Sequence, residues 1–176
     1  GILFVVNSGI MNGTSATKFS PDRAMSRAML VTSLYRLSGS PAVSYTNSFS
    51  DVPASAWYAD GVAWASKNGI VTGVGGGKFN PNGNVTREQI ATFLFRYAEY
   101  LGYNTSKRAD LSRFPDSGSV SNFAKDAMSW AVATGILNGT TTNDITILAP
   151  KSPATRAQAA SFLLRFGKVV LPSLPY

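Results

Sequence analysis

The segment Lys67-Asn-Gly-Ile-Val-Thr-Gly73 indicates the architecture of the chain, because similar segments stand before and after it. The chain reads Asn7-Ser-Gly-Ile-Met-Asn-Gly13 sixty residues earlier and Ala133-Thr-Gly-Ile-Leu-Asn-Gly139 sixty-six residues later. All three share Gly-Ile, then an apolar residue, one variable residue and a final glycine. Such self-similarity at a nearly fixed spacing is the signature of a protein built from repeated units. The sequence therefore predicts three copies of one unit.

A second motif after each segment predicts the start of a helix. It is a hydroxyl residue followed by arginine, and hydroxyl residues are preferred N-caps because they accept a hydrogen bond from a free backbone N–H. In the second unit, apolar residues then recur at helical spacing, and Gly69 stands where a glycine would end the preceding helix. Each unit is thus predicted as helix, loop, helix. The motifs are Ser26-Arg-Ala-Met29, Thr86-Arg-Glu-Gln89 and Thr155-Arg-Ala-Gln158, and the apolar stripe is Ile90, Phe93, Leu94 and Tyr97.

These patterns predict an all-α module of three units at residues 1–38, 49–98 and 114–166. The first unit is incomplete, since it lacks the lead-in found in the other two, and the third carries three extra residues around 140–144. Units of this size bury their apolar faces poorly alone, so they should pack on one another. A pseudo-threefold cluster is favoured, and a short open superhelix is the alternative.

Composition excludes several kinds of chemistry. The 176 residues contain no cysteine and no histidine, which rules out disulfides, thiolate sites and a Ser-His-Asp triad. No stretch approaches the roughly 18 apolar residues that span a bilayer, so no membrane insertion is expected. Residues 1–6 lack the basic start of a signal peptide, and the missing initiator methionine indicates a piece of a longer protein. The net charge of +7 predicts an acidic partner, which is a nucleic acid, an anionic lipid surface or an acidic glycan.

Six motifs follow one another in the second unit, and copies of most of them occur in the other two. They are Phe49-Ser-Asp-Val52, Trp57-Tyr58, Trp64-Ala65, Asn68-Gly-Ile-Val-Thr-Gly73, Gly77-Lys-Phe-Asn-Pro81 and Val85-Thr-Arg-Glu-Gln89. This series resembles the S-layer homology (SLH) repeat along nearly the whole second unit. The third unit matches well, and the first matches in its latter part.

The resemblance implies a fold and a function. It implies three SLH units around a central helical bundle, as a non-enzymatic part of a larger protein on the extracellular surface of a bacterium. In this family, grooves between neighbouring units bind anionic secondary cell wall polysaccharide, often through pyruvylated N-acetylmannosamine. No cofactor or metal is implied. We expect the groove that uses Arg87 to be the most intact.

Three arginines are the first candidate ligand-binding residues. Arg27, Arg87 and Arg156 each follow a helix cap, and a guanidinium offers a planar fork of donors that fits a carboxylate. The free N–H groups of a helix start also attract anions. The alternative is that each arginine pairs with a loop carbonyl or with the aspartate of a neighbouring unit.

Aromatic residues are the second group of candidates. Trp64 and Trp130 could pack against sugar C–H faces, and Trp57 is a weaker candidate of the same kind. Without the resemblance, a buried place on an amphipathic helix would be favoured for Trp64 and Trp130.

The remaining candidates are glycines and charged residues near the loops. A glycine lets a ligand approach the backbone closely, or serves a turn with positive φ. The aspartates are interpreted first as acceptors for loop N–H groups, and the lysine as a source of positive field at the groove. These residues are Gly13, Gly73, Gly139, Asp51, Asp116 and Lys78.

Three other functions stay open on the sequence alone. The +7 charge would suit a nucleic-acid-binding module, but the motif arginines occur one per unit and not as a stripe. Exposed aromatics would suit self-association in a surface lattice. A glycosidase needs two carboxylates on opposite sides of a sugar, and no such pair is visible, so we predict no enzyme activity.

Overall fold

The computed structural model describes residues 1–171 and consists mainly of six α-helices. The prediction of an all-α fold is confirmed, apart from a small antiparallel hairpin formed where the third unit has its extra residues. Asn143 and Asp144 make its tight turn with positive φ, as such hairpins require. The elements are α1 (Ile2–Asn7), α2 (Arg27–Leu37), α3 (Ala59–Lys67), α4 (Arg87–Tyr100), 3₁₀ turns at Ser117–Ser119 and Asn122–Ala124, α5 (Lys125–Ala133), β1 (Thr140–Thr142), β2 (Ile145–Ile147) and α6 (Arg156–Val170).

The helix caps are those predicted from the sequence. The hydroxyls of Ser26, Thr86 and Thr155 each accept a hydrogen bond from the backbone N–H three residues later. In α4 and α6 the side chain of the glutamine at that position also accepts a hydrogen bond from the backbone N–H of the cap residue, which satisfies a second free N–H. Gly69 has a φ of +71°, as a helix-ending glycine should. Helix α3 begins at Ala59 without a side-chain cap.

Helices pack in pairs that join different repeats. The second helix of each repeat lies against the first helix of the next one, so that α2 packs on α3, α4 on α5, and α6 on α1. The apolar stripe of α4 is buried in the shared core, where Trp130, Tyr97 and Phe166 are among the largest fully buried side chains. Burial of each such side chain contributes about 1.5–3 kcal/mol to folding.

The segments before the three long helices are hydrogen-bonded to one another in a closed cycle. The Met25 N–H donates to the Ala154 carbonyl over 2.8 Å, and the Val85 N–H donates to the Met25 carbonyl over 2.9 Å. The Ala154 N–H completes the cycle by donating to the Val85 carbonyl over 3.0 Å. These contacts join all three repeats at one point, as pseudo-threefold packing would, and bring each motif arginine against a neighbouring loop.

Candidate functional site

Each motif arginine holds the loop of the next repeat. Its Nε and Nη2 groups donate to two backbone carbonyls of that loop, and the side chain is only 4% exposed in all three cases. The pairs are Arg27 with Phe79 (2.8 Å) and Thr72 (2.9 Å), Arg87 with Leu148 (2.8 Å) and Asn138 (2.8 Å), and Arg156 with Phe19 (2.8 Å) and Asn12 (2.6 Å).

This geometry supports the alternative interpretation of the arginines, in which a loop carbonyl is the partner. One edge of each guanidinium, made of Nε and Nη2, is occupied by carbonyls, so a carboxylate can meet only the remaining N–H groups. Loss of hydration on burial lowers the pKa of Arg27, Arg87 and Arg156, yet a guanidinium stays charged at neutral pH. Within residues 1–171, carboxylates lie within 4.0 Å of only two basic side chains, Arg108 and Lys151. None of the three motif arginines therefore forms a salt bridge, although the charges of Asp51 and Asp116 act on Arg27 and Arg87 from farther away.

Two open grooves lie beside these arginines. The first, which we call the Arg156 groove, encloses about 440 Å³ between Arg156, the loop of the first repeat and helix α2. Trp57 stands at its edge and is 63% exposed. Its lining consists of Met11, Asn12, Gly13, Thr14, Met25, Met29, Thr32, Ser33, Arg36, Trp57 and Arg156.

The second, which we call the Arg27 groove, encloses about 340 Å³ between Arg27, the loop of the second repeat and helix α4. Phe123 stands where Trp57 stands in the first groove and is 57% exposed. Its lining consists of Arg27, Thr72, Gly73, Val74, Gln89, Thr92, Phe93, Arg96 and Phe123.

Sequence reasoning missed a second arginine in each groove. Arg36 lines the Arg156 groove and Arg96 lines the Arg27 groove, and both side chains are half-buried. Each lies nine residues after the motif arginine of its own helix, and Arg165 has the same position in α6. This constant spacing of nine residues could have identified the second arginines from the sequence. Each groove therefore carries two cationic groups.

Trp64 and Trp130 were predicted to bind sugar in a groove, but both lie in the core. They are 3% and 0% exposed. Trp64 packs edge-on against Tyr97 and Tyr100, and Trp130 against Phe95, because both face inward on their helices. Trp57, the weaker candidate, is the tryptophan that reaches a groove.

The three glycines are required by the close approach of their own loops, and not by positive φ. A Cβ on Gly13 would lie 2.5 Å from the Ser15 carbonyl oxygen, and one on Gly73 would lie 2.6 Å from that of Lys78. A Cβ on Gly139 would likewise lie too close to atoms of the hairpin. Gly13 and Gly73 line the two grooves.

The aspartates shape the loops, as the sequence indicated. Asp51 accepts hydrogen bonds from the backbone N–H groups of Phe79 and Asn80, both over 2.8 Å. Asp116 accepts from Leu148 and Ala149 over 2.8 and 2.7 Å. Asn80 and Ala149 have φ values of +57° and +49°, so each aspartate stabilises a left-handed residue. Neither aspartate lines the two grooves, and nor does Lys78, which is exposed on its loop.

The surroundings of Arg87 do not fit the expectation that its groove is the most intact. Its guanidinium lies 5.4 Å from the ring centre of Phe162, and it lines neither groove. Gly139 lines a different cavity of about 550 Å³, between the hairpin and Arg113. A ligand-binding role for Arg87 stays a prediction.

A family model provides the deciding comparison. The model of the S-layer homology domain matches residues 1–28, 48–91 and 113–160. The chain belongs to the S-layer homology domain family.

Relatives of this SLH module are much longer proteins. The module is 32% identical over 154 residues to an amylopullulanase of Thermoanaerobacterium thermosulfurigenes, which covers 88% of the chain and 8% of that protein. It is 35% identical over 156 residues to the surface-layer 125 kDa protein of Lysinibacillus sphaericus, covering 89% of the chain and 13% of the relative. It is 27% identical over 168 residues to the S-layer protein sap of Bacillus anthracis, covering 95% and 20%. The module thus spans a fifth or less of these proteins.

A solved structure shares the fold. The undecaheme cytochrome from the S-layer of Carboxydothermus ferrireducens aligns with the whole chain and 21% of its own length, with a TM-score of 0.50 and 19% identity. The predicted location at the extracellular bacterial surface is confirmed by the surface-layer relatives. None of the helices within residues 1–171 is long and apolar enough to cross a membrane.

Proposed function

We propose that this SLH module anchors a larger protein to the bacterial cell envelope by binding an anionic polysaccharide in its inter-repeat grooves. The observation that carries the proposal is the pairing, in each open groove, of two arginines that lack a close carboxylate with one exposed aromatic side chain. A buried or half-buried cation without a counter-ion favours an anionic ligand.

The ligand chemistry follows from what the grooves offer. A pyruvate ketal on N-acetylmannosamine carries one carboxylate, which can accept hydrogen bonds from the guanidinium N–H groups that the loop carbonyls leave free. Trp57 or Phe123 can pack against the C–H face of the sugar, and the indole N–H can donate to a hydroxyl. Glycine at the loop start keeps the groove wall free of side-chain atoms.

The module itself is proposed to be non-catalytic. Asp51 and Asp116 use both carboxylate oxygens as acceptors for loop N–H groups, so neither is free to act as a general acid or base. Any catalysis by a protein that carries this module would belong to its other domains.

Two alternatives are less well supported. A nucleic-acid-binding surface needs clustered basic side chains that follow a backbone, whereas these arginines are divided between separate grooves and held by loop carbonyls. Self-association would use exposed aromatic residues, but Trp57 and Phe123 face grooves that also contain cations.

Sedimentation with purified cell wall polymer tests the proposal. The chain should co-sediment with pyruvylated polymer and bind about tenfold more weakly to polymer stripped of pyruvate, because the carboxylate is lost. Affinity should fall only gently with salt, in contrast to a slope of about −0.9 per phosphate contact for a duplex DNA binder. Equal binding to both polymers would refute the carboxylate mechanism.

A further inference from the structure

Arg156 lacks one aromatic contact that the other two motif arginines have, although the ring centre of Phe19 lies 4.5 Å from its guanidinium. The guanidinium of Arg27 lies 5.3 Å from the ring centre of Phe93, and that of Arg87 lies 5.4 Å from that of Phe162. The equivalent residue beside Arg156 is Ser33. Ser33 lies six residues after Arg27, just as Phe93 lies six residues after Arg87. The smaller side chain at this position accompanies the larger volume of this groove, about 440 Å³ against about 340 Å³ in the Arg27 groove, although Arg156 itself is only 4% exposed.

The same helix presents a hydroxyl without a partner. Thr92 and Ser161, the equivalents of Thr32, donate to the carbonyl four residues earlier over 2.8 and 3.1 Å. Thr32 is 5% exposed, lines the Arg156 groove, and its Oγ1 has no hydrogen-bond partner. Since buried polar groups are nearly always paired, an unpaired hydroxyl in the wall of this groove indicates a missing partner, such as a polar group of a ligand.

Three of the four methionines of the chain line this groove. Met11, Met25 and Met29 stand where the Arg27 groove region has Val71, Val85 and Gln89. Methionine is unbranched and polarizable, so it adapts to irregular apolar groups. The sulfur of Met29 is also the acceptor, at 3.6 Å, for Nη1 of Arg156. A sulfur is a weak acceptor that a carboxylate would replace.

We infer that the Arg156 groove is the principal ligand site of the module, and that Ser33 and Thr32 determine its specificity. It takes an acidic sugar whose carboxylate meets Arg156, whose polar group accepts from or donates to Thr32, and whose apolar substituent lies on Met29, the partly exposed methionine of the three. This inference rests on the proposed function and adds which groove acts and what the sugar must carry besides its acid group.

Methionine methyl resonances test which groove is occupied. The chain is labelled with ¹³C-methyl methionine and titrated with soluble oligosaccharides released from the pyruvylated polymer. Met29 and at least one of Met11 and Met25 should shift. Met128 is fully buried in α5, away from both grooves, and serves as the internal control.

Two variants test the specificity residues. Ser33→Phe copies the residue found beside Arg27 and Arg87, so the fold should accept it, and it should lower oligosaccharide affinity at least about tenfold by filling the groove. Thr32→Val keeps the shape and should lower affinity about fivefold, since one hydrogen bond to the ligand is lost. We expect Thr32→Val to bind the oligosaccharide more weakly while its melting temperature is unchanged or higher. A purely structural role of Thr32 would not give this combination.

The outcomes separate this inference from the proposed function. Oligosaccharide that binds the chain without moving the groove methionines, or that binds Ser33→Phe as tightly as the unmodified chain, overturns the inference and leaves the anchoring function standing. Failure of the unmodified chain to bind the pyruvylated polymer overturns both.

Discussion

The Arg156 groove and the Arg27 groove are built from the same backbone parts but differ in the side chains that face the cavity. Each has a capped helix start, an arginine bonded to two loop carbonyls, a second arginine supplied by the helix of the neighbouring repeat, and an exposed aromatic edge. Ser33 and the unpaired Thr32 of the first groove correspond to Phe93 and to Thr92 of the second, and the Thr92 hydroxyl donates to the Glu88 carbonyl. The contacts that hold the repeats together are the same in both grooves, whereas the side chains that line the cavity for a ligand differ.

The greatest loss of stability is predicted for the motif arginines, which both grooves share. Arg27→Ala and Arg156→Ala should each lower the free energy of unfolding by about 2–5 kcal/mol, because two buried or partly buried carbonyls lose their donor. For a chain of this size, that corresponds to a fall in melting temperature of about 5–15 °C. Arg36→Ala, at a half-buried arginine without these bonds, is the control and should change it by less than about 3 °C.

Thermal unfolding followed by circular dichroism measures all three variants. Similar losses for Arg27→Ala and Arg156→Ala would show that the loop contacts of the two grooves are equivalent in energy as well as in geometry. Full stability of either variant would show that its loop contacts do not stabilise the fold.

A smaller effect is expected at the exposed edges, where the grooves should differ. Trp57→Ala should weaken binding of pyruvylated oligosaccharide about tenfold, and Phe123→Ala by less than about threefold, if the Arg156 groove is the principal site. Both side chains are more than half exposed, so melting temperatures should stay within about 2 °C. Calorimetric titration provides the affinities, and a larger loss for Phe123→Ala would reverse the ranking of the grooves.

The smallest effect concerns the loops that form the groove walls. Burial acts to raise the pKa of Asp51, but the hydrogen bonds from Phe79 and Asn80 outweigh it and lower the pKa. A carboxyl with a lowered pKa contributes stability that is present above its unfolded pKa of about 3.9 and is lost as the pH falls through its folded pKa. Asp51→Asn should therefore cost less than about 1 kcal/mol at pH 7 and nothing at pH 2.

The first repeat offers a matched loop without this carboxylate. There, the Thr14 and Ser20 hydroxyls are hydrogen-bonded over 2.6 Å, and Ser20 has the same left-handed φ as Asn80. Amide hydrogen exchange at acidic and neutral pH should show acid loosening at residues 78–81 and not at 18–21. Equal loosening of both loops would contradict the assignment to Asp51.

Much of the fold could be predicted because it depends on local patterns. The cap at Thr86, the glycine at Gly69 and the apolar stripe of α4 each follow from a few neighbouring residues, and all appear as expected. The hairpin at 140–147 was not predicted, since an insertion of three residues says only that the loop is longer.

The site was predicted less well because its contacts join distant parts of the chain. Arg156 bonds a carbonyl 137 residues away, and sequence spacing alone left open whether its partner was a carbonyl or a ligand. Trp64 was ambiguous because an indole on an amphipathic helix suits either a core or a sugar. The difference between Ser33 and Phe93 was visible in the aligned repeats, but its meaning depends on knowing that this helix face meets the arginine of another repeat.

The closed cycle of hydrogen bonds among Met25, Val85 and Ala154 affects how the molecule should unfold. In a linear solenoid, terminal repeats have one neighbour, fray first and need specialised caps. Here every repeat has two neighbours, because α6 packs on α1 as α2 packs on α3. Removal of any one repeat would expose two interfaces at once, so the three should melt together in a single cooperative transition.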